Sequence, residues 1–340
     1  MVQENMSASR EIADVARAMK LASPKLAATT SEMRNAALQV VADALASHAT
    51  EIFTANEADL AAAADANVAS AIVKRLRFDQ HKLDDVIAGI RDLVNLPDPI
   101  GSVLLHRELD EGLRLTRIAC PIGVIGVIFE ARPDALVQIS TLCLKSGNCS
   151  ILKGGSETMR TNKVLFELIH DAAVSAGLPE ACMYQVEARE DIGKLLACDE
   201  AVDLLIPRGS NAFVRYIMDN TRIPVMGHAD GICHIYVDES ADFDIAIPVI
   251  IDAKTQYTAA CNAVETLLVH RSVAADFLPL LAEACATAGV VLRGDDEVRT
   301  VIRCDAATDE DWATEYLDLI LSVKIVADAA EAIAHINRYG

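Results

Sequence analysis

The first hundred residues carry apolar side chains at the three- and four-residue spacing of amphipathic helices. Ile12, Val15 and Met19 share one face in this pattern, which continues with few breaks over residues 8–68 and resumes over Phe78–Leu96. The chain is therefore predicted to begin with helices. None of them carries a recognisable constellation of chemically active residues, so their expected role is packing.

The next segment, Val103–Ile118, has the character of β-strands. Leucine and isoleucine side chains lie on both sides of Asp110-Glu111-Gly112, a sequence typical of a tight turn. The segment is therefore predicted to form a projecting β-hairpin. Two roles remain open for this hairpin, a contact between subunits of an oligomer or an edge of the main sheet.

From residue 122 onward, short apolar runs alternate with segments of helical periodicity. The predicted strands are Ile122–Phe129, Cys149–Lys153, Cys182–Val186, Val202–Ile206 and Ile223–Met226. The predicted helices are Asp134–Lys145, Glu157–Ala176, Asp191–Leu196 and Asn211–Asp219. Such alternation is typical of a parallel, doubly wound sheet, whose ligands bind beyond the carboxyl ends of the strands.

The alternation starts again, with different loops, after residues 226–232. The predicted strands are Cys233–Val237, Val264–Val269, Val290–Leu292 and Ile320–Val326, and the predicted helices are Val273–Ala288 and Ala329–Arg338. We therefore expect an α/β protein with two doubly wound, Rossmann-like parallel-sheet domains. Residues 1–228 form the first, with the N-terminal helices and the hairpin at about 103–118, and residues 229–340 form the second.

Composition narrows the class of protein. The 340 residues are 52% hydrophobic and only 4% aromatic, which is ample for a globular core. The formal net charge of -20 argues against nucleic acids and anionic membrane surfaces as partners. No apolar run is long enough to span a bilayer, and Met1–Arg10 lacks the apolar segment of a signal peptide.

Nine cysteines are scattered along the chain without a C-x-x-C pair or a Cys/His cluster of zinc-finger spacing. An odd number of thiols without a disulfide framework is typical of a reducing compartment. We therefore expect a cytoplasmic protein without a metal site.

Three segments that follow predicted strands carry candidate chemistry, and the first contains Glu130, Arg132 and Asp134. Arg132 is suited to clamp a carboxylate or a phosphate. Equally, Glu130 and Arg132 can neutralise each other while Asp134 caps the helix behind Pro133. Taken by itself, the segment favours this capping role.

The other two segments are Lys153-Gly154-Gly155-Ser156-Glu157 and Pro207-Arg208-Gly209-Ser210-Asn211. Each places a cation and glycine between a strand and a helix, where glycine lets the backbone approach an anion and the helix N-terminus supplies N–H donors. For the first, a plain turn with a serine cap is the alternative. Neither matches the standard nucleotide fingerprints. As a pair they favour an extended ligand with several phosphates, such as a nicotinamide dinucleotide.

A further candidate is Cys261, in the small, polar stretch Thr255–Ala263. This stretch lies between the apolar run Ile245–Ile251 and the predicted strand that begins at Val264. Thiolate chemistry needs access and nearby hydrogen-bond donors, and a loop at the edge of a sheet can offer both. The alternative is that Cys261 is a small, inert core residue.

Several long motifs run through the chain at residues 117–134, 144–148, 152–157, 207–210, 225–238 and 257–262. Together they resemble the γ-glutamyl phosphate reductase (glutamate-5-semialdehyde dehydrogenase) family of the aldehyde dehydrogenase superfamily. The resemblance implies an aldehyde-dehydrogenase-like fold. It also implies an NADPH-dependent reduction of L-γ-glutamyl 5-phosphate to L-glutamate 5-semialdehyde and phosphate, a step of proline biosynthesis.

The resemblance also implies roles for individual residues. Cys261 falls at the position of the nucleophile, and Asn262 lies beside it as a candidate oxyanion donor. Lys153 and the Gly154–Ser156 turn fall where the adenosine ribose or its phosphate is held. Pro207-Arg208-Gly209-Ser210 falls beside the pyrophosphate.

One difference within the superfamily bears on the chemistry. Hydrolytic members carry a Glu-Leu-Gly-Gly motif whose glutamate activates water, whereas the matching position here reads His228-Ala229-Asp230-Gly231. The lack of a glutamate suits an enzyme that preserves an acyl thioester. His228 either contacts phosphate or substrate or is an ordinary loop histidine. Glu130, Arg132 and Asp134 are further substrate candidates by position.

Family members continue past Gly340, so a C-terminal part is expected to be missing and the second domain to be incomplete. The alternative to an active reductase is therefore a truncated, inactive relative that binds a dinucleotide or a partner. By the same resemblance, a homo-oligomer is expected. An association with glutamate 5-kinase, which would pass on the labile acyl phosphate, is chemically reasonable.

Overall fold

The computed structural model describes residues 12–68, 70–130, 132–187, 191–209, 211–227, 231–258 and 260–340. The chain divides into two compact units, Met1–His228 and Ala229–Gly340. Each unit has its own parallel sheet and its own hydrophobic core. No helix in the described ranges combines the length and the apolar character needed to cross a membrane.

The first unit begins with helices, as the periodicity predicts. They are α1 Ile12–Ala27, α2 Ser31–Ser47, α3 Ala49–Asp65, α4 Ser70–Leu76 and α5 Gln80–Asn95. The apolar faces of α1, α2 and α5 join the core of the unit, so their role in packing is confirmed. The short α4 is not apparent from the sequence.

The rest of the first unit alternates strands and helices after a hairpin. The hairpin strands are β1 Val103–Asp110 and β2 Leu113–Ile118. The elements that follow are β3 Val124–Ile128, α6 Pro133–Lys145, β4 Cys149–Lys153, α7 Met159–Ser175, β5 Met183–Gln185, α8 Asp191–Leu196, β6 Leu204–Pro207 and α9 Asn211–Asp219. A 3₁₀ turn, Ser156–Thr158, precedes α7.

The four strands that follow the hairpin form a parallel sheet in the order β5-β4-β3-β6. Every residue of β3 and β4 is buried, and for β3 the near-continuous apolar run Ile122–Phe129 predicts this burial. The prediction of a further strand at Ile223–Met226 is wrong. Only Val225 forms a bridge, to Leu205, and Pro224 has no N–H to donate to a ladder.

The hairpin is separate from the main sheet. β1 and β2 pair with each other as an antiparallel, two-stranded sheet, and the turn contains Gly112 at a φ of 76°. All residues of both strands are exposed. The hairpin is confirmed, whereas its interpretation as an edge of the main sheet is wrong.

The second unit has a five-stranded parallel sheet in the order β10-β9-β11-β8-β7. Its elements are β7 Cys233–Val237, α10 Phe243–Thr255, β8 Val264–His270, α11 Arg271–Ala288, β9 Val291–Gly294, α12 Asp296–Val301, β10 Asp305–Ala306, β11 Ile320–Val326 and α13 Ala329–Tyr339. The four predicted strands are confirmed. The apolar run Ile245–Ile251 lies within helix α10.

A buried carboxylate organises the segment before β11. Asp311 accepts hydrogen bonds from the Tyr316 hydroxyl at 2.6 Å and from the Thr308 amide at 2.7 Å, and Arg293 forms an ion pair with it. Burial alone would raise the pKa of Asp311, but these bonds outweigh it and hold the pKa well below its ordinary value. Folding is therefore coupled to the ionisation of this group.

We expect Asp311→Asn to lower the free energy of unfolding at pH 7 by about 2 kcal/mol. The amide nitrogen of asparagine cannot accept hydrogen bonds, and the neutral side chain cannot form the ion pair with Arg293. In the wild type, the contribution of ionised Asp311 to the free energy of unfolding is fully present above the ordinary aspartate pKa of about 3.9. It is lost as the pH falls through the lowered, folded-state pKa, so the two chains should converge in acid. Trp312, the single tryptophan, is 7% exposed, and its fluorescence in urea reports this unit.

The control is Asp309→Asn, because Asp309 is an exposed neighbour in the same segment. It should change the unfolding free energy by less than about 0.5 kcal/mol. A difference between wild type and Asp311→Asn that stays constant from neutral to acid pH would contradict the linkage.

Candidate active site

The carboxyl ends of three adjacent strands of the first unit lie level with one another. Ile128 at the end of β3 pairs with Lys153 of β4 on one side and with Pro207 of β6 on the other. The backbone continues this register, since the Phe129 amide donates to the Lys153 carbonyl at 2.9 Å and the Arg208 amide to the Ile128 carbonyl at 2.7 Å. The three segments selected from the sequence therefore leave the sheet side by side.

Gly209 lets the first and third segments approach closely. Its φ of 156° disfavours other residues, and an added Cβ would lie 3.3 Å from a carboxylate oxygen of Glu130 and 3.1 Å from the Phe213 ring. The Glu130 carboxylate thus lies over Gly209. Ser210, the next predicted cofactor residue, lies outside the described residues, as does His228.

The second segment forms a closed turn. Lys153 is buried, and its ammonium donates to the Gly154 carbonyl at 2.6 Å. A side chain at Gly154 would overlap the Asn162 amide, and one at Gly155 would overlap the Glu157 carboxylate. The two glycines therefore let side chains from the following turn and helix fold back over the strand end.

The N-terminus of α7 is already bound by a carboxylate from α3. Asp59, 2% exposed, accepts from the Thr161 amide and hydroxyl, both at 2.8 Å, and from the Arg160 amide at 3.3 Å. The Arg160 and Thr161 amides are therefore bonded within the chain and are not offered to a phosphate. The turn Gly154–Ser156 remains as the backbone that can approach an anion.

The capping role expected for Asp134 is also wrong. Asp134 is the second residue of α6, and the residue at the N-cap position, Arg132, makes no side-chain capping bond. Instead, Arg132 donates to the Asp134 carboxylate at 2.7 Å, and the Lys82 ammonium lies 3.6 Å from its other oxygen. Two cations thus hold Asp134, which is buried, at the start of α6.

Cys261 lies in a turn between α10 and β8. The turn is closed by bonds from the Ala260 amide to the Tyr257 carbonyl at 3.2 Å and from the Ala263 amide to the Ala260 carbonyl at 3.0 Å. Cys261 and Asn262 are exposed. Within the described ranges, the backbone N–H groups of these two residues donate to no other protein atom. The prediction of an accessible cysteine on a connection is confirmed, and the inert-core alternative is wrong.

Most other cysteines differ sharply from Cys261. Cys143, Cys149 and Cys182 are buried, and burial raises the pKa of each thiol to about 12. Such thiols stay protonated and unreactive. Among the nine cysteines, all within described ranges, Cys261 shares exposure only with Cys120.

A buried ion pair holds the two ends of the Cys261 turn. Lys254, in the last turn of α10, donates to the Glu265 carboxylate of β8 at 2.6 Å and to the Val264 carbonyl at 3.0 Å. The two side chains are 0% and 1% exposed. Burial raises the pKa of Glu265, and the bonds from Lys254 oppose this rise. No local pattern in the sequence marks this pair.

Gly231 packs against the same turn from the segment before β7. A side chain at this position would overlap the carbonyl oxygen of Cys261, and its Cβ would lie 3.3 Å from the Cβ of Cys261. The position therefore requires glycine. Its place at the end of the His228–Gly231 motif was the available signal in the sequence.

Two α/β units, a separate hairpin and an exposed cysteine turn agree with the aldehyde dehydrogenase class that the sequence motifs resemble. The model of the aldehyde dehydrogenase family matches residues 2–307, and the chain belongs to this family. The family implies a nicotinamide dinucleotide as cofactor.

Within this family the chain belongs to the γ-glutamyl phosphate reductases. It is 56% identical over 320 residues to the γ-glutamyl phosphate reductase of Ruminiclostridium cellulolyticum, covering 94% of this chain and 74% of the relative. It is 51% identical to γ-glutamyl phosphate reductase 1 of a Synechocystis species, covering 100% of this chain and 78% of the relative. The crystal structure of the γ-glutamyl phosphate reductase of Thermotoga maritima superposes with a TM-score of 0.92 at 37% identity, covering 97% of this chain and 81% of that one.

Proposed function

We propose that this chain reduces L-γ-glutamyl 5-phosphate to L-glutamate 5-semialdehyde and phosphate through a thioester on Cys261. The observation that carries the proposal is the Cys261 turn, which combines an exposed thiol with adjacent backbone N–H groups. The names of the relatives supply the substrate class, an acyl phosphate. The reaction is a step of proline biosynthesis.

The turn is suited to both halves of the acyl transfer. The Cys261 thiolate attacks the carbonyl carbon, and the carbon–oxygen bond to phosphate breaks to leave a thioester. The negative charge that develops on the carbonyl oxygen is stabilised by the N–H groups of Cys261 and Asn262 and by the Asn262 side chain. The buried Lys254–Glu265 pair keeps the turn in place, because it ties the end of α10 to the start of β8.

The three strand ends of the first unit fit a dinucleotide. Glycines follow β4 and β6 at the carboxyl edge of the sheet, and cationic residues, Lys153 and Arg208, adjoin them. We assign Lys153 and Gly154–Ser156 to the adenosine ribose or its phosphate, and Pro207–Ser210 to the pyrophosphate. When bound as NADPH, this cofactor supplies the hydride that reduces the thioester.

The geometry separates the four residues that are candidates for substrate contacts. Asp134 is held by Arg132 and Lys82, so its carboxylate has a structural role at the start of α6. Arg132 is about half exposed and Glu130 lies over Gly209, so both remain candidates for contacts to substrate or cofactor. His228 stays a candidate by position alone. A cytoplasmic location is proposed on the nine thiols without a disulfide framework. An association with glutamate 5-kinase is proposed on the lability of the acyl phosphate.

The reverse reaction tests the function directly. The assay follows NADP⁺ reduction with glutamate 5-semialdehyde, with and without inorganic phosphate. Turnover that requires phosphate would support the reductase. Turnover without phosphate would indicate a hydrolytic aldehyde dehydrogenase, and dinucleotide binding without turnover would indicate an inactive binding relative. Repeating the binding and rate measurements with NADPH and NADH tests the preference for the 2′-phosphate.

The exposed hairpin is proposed as the contact between copies of the chain. Its strands expose Leu104, Leu113 and Leu115 by 57%, 57% and 46%, and an isolated two-stranded ribbon is at best marginally stable in water. We expect Leu115→Glu to weaken self-association by at least about 1.5 kcal/mol, more than tenfold in Kd. Sedimentation velocity over a concentration series measures the effect.

Leu280→Glu is the matched control, since Leu280 is 49% exposed on α11. It should leave the association unchanged. Equal weakening by both substitutions would mean that the hairpin has no special role in assembly.

A further inference from the structure

A second thiol contacts the Cys261 turn. The Cys233 sulfur donates to the Cys261 carbonyl oxygen at 3.4 Å. Cys233 opens strand β7 and pairs with Val264 of the neighbouring strand, three residues beyond Cys261. The segment before it passes so close to the turn that only glycine fits at position 231. Two cysteines far apart in sequence thus meet at one end of the second unit's sheet.

We propose that Cys233 and Cys261 form a reversible disulfide when the protein meets hydrogen peroxide or a related hydroperoxide. The proposal rests on the assignment of Cys261 as the reactive nucleophile, and it adds a resolving thiol to that site. In the reduced chain both sulfurs are free thiols.

The step balances with peroxide as the oxidant. The Cys261 thiolate attacks one peroxide oxygen, the O–O bond breaks, and the sulfur becomes a sulfenic acid while the other oxygen leaves as water after protonation. The Cys233 sulfur then attacks the sulfenic sulfur, the S–O bond breaks, and its hydroxide takes up the Cys233 proton to leave as a second water. Two thiols lose two electrons in total, and one peroxide gains them.

The surroundings of the two thiols indicate that Cys261 reacts with peroxide and that Cys233 attacks the resulting sulfenic acid. Cys261 is exposed, so peroxide can reach it, whereas Cys233 is half-buried behind the turn. Burial raises the pKa of Cys233, and the nearby Cys261 adds to this effect. The carboxylates of Glu265 and Glu315 also raise the pKa of Cys233. Because Cys233 must lose its proton to attack, disulfide formation should accelerate as the pH rises.

The two residues are already in contact. The Cys233 sulfur lies 3.4 Å from the Cys261 carbonyl oxygen, and the Cys261 side chain is exposed. A disulfide needs its two sulfurs about 2.05 Å apart, so the bond forms when the Cys261 side chain turns toward Cys233. The disulfide would occupy the nucleophile and protect it from irreversible oxidation.

The test compares the wild-type chain with Cys233→Ser, a substitution that removes one sulfur and little volume. Each is treated with hydrogen peroxide, alkylated and digested without reductant for mass spectrometry. For the wild type we expect a linked peptide pair that contains Cys233 and Cys261, is lost on treatment with dithiothreitol, and has two hydrogens fewer than its separate peptides. In Cys233→Ser we expect several-fold more dimedone-trapped sulfenic acid at Cys261, followed by sulfinic acid that dithiothreitol does not reverse.

Cys304→Ser is the control, because Cys304 is the other half-buried thiol of the second unit. It should keep the linked peptide. The absence of a Cys233–Cys261 linkage in the wild type, or equal dimedone labelling in wild type and Cys233→Ser, would overturn the proposal. The experiment measures the oxidation state of the sulfurs and does not depend on turnover. A chain that fails the reductase assay can therefore still form, or fail to form, the Cys233–Cys261 linkage.

Discussion

Cys261→Ala is expected to lower phosphate-dependent NADP⁺ reduction by at least about a thousandfold, because loss of a nucleophile removes the covalent route entirely. The exposed turn itself should persist, since its closing bonds are made by the backbone of Tyr257, Ala260 and Ala263. Dinucleotide affinity should change little, because the assigned cofactor residues lie on the strand ends of the other unit. Steady-state rates together with fluorescence titration of NADPH separate the two effects.

Cys120→Ala is the matched control, since Cys120 is the other exposed thiol. Its activity should equal that of the wild type. Substantial activity in Cys261→Ala, or an equal loss in Cys120→Ala, would remove Cys261 from the mechanism. A second check is acyl-enzyme trapping, in which wild type but not Cys261→Ala should gain the mass of the acyl group.

Lys254→Met is expected to destabilise the second unit by about 3–5 kcal/mol, because it leaves the Glu265 carboxylate buried without its cation. Lys254 is 0% exposed and Glu265 1%, so water cannot replace the lost partner without opening the structure. Any chain that still folds should show a lower kcat, since the pair fixes both ends of the Cys261 turn. Urea unfolding followed by Trp312 fluorescence measures the change in stability.

Two further variants sharpen this test. Arg271→Met breaks an exposed pair with Glu297, whose side chains are 55% and 57% exposed, and should cost less than about 1 kcal/mol. The double variant Lys254→Met/Glu265→Leu removes both buried charges and should recover most of the lost stability. A nearly neutral Lys254→Met would show that the pair does not hold the turn.

The secondary structure could be predicted from the local spacing of apolar residues, because the buried face of each helix or strand needs apolar residues at a regular spacing. The residues of β4, Cys149–Lys153, are an uninterrupted buried run, and that is what a central parallel strand requires. Ile12, Val15 and Met19 are buried at helical spacing on α1. The apolar run Ile223–Met226 predicts a strand that the structure does not contain. Only Val225 pairs with a neighbouring strand, through a single bridge to Leu205.

The candidate site could be predicted only in part. Spacing and motif identified Cys261 and the three strand-end segments, and the parallel sheet brings those segments together. Its position at the start of a helix predicts that Asp134 is a cap, yet Arg132 and Lys82 bind this carboxylate instead. Lys82 is far from it in sequence, so no local pattern contains the information.

The sequence by itself determined the fold class, the family and the position of the reactive cysteine, because these depend on periodicity and on contiguous motifs. Only the tertiary structure decided which polar groups meet across the chain. It bound Asp59 to the N-terminus of α7, paired Lys254 with Glu265 beneath the turn, and placed Cys233 against Cys261. The physical reason is that apolar periodicity specifies which face of an element is buried, whereas the partner of a buried polar group is set by how those faces pack.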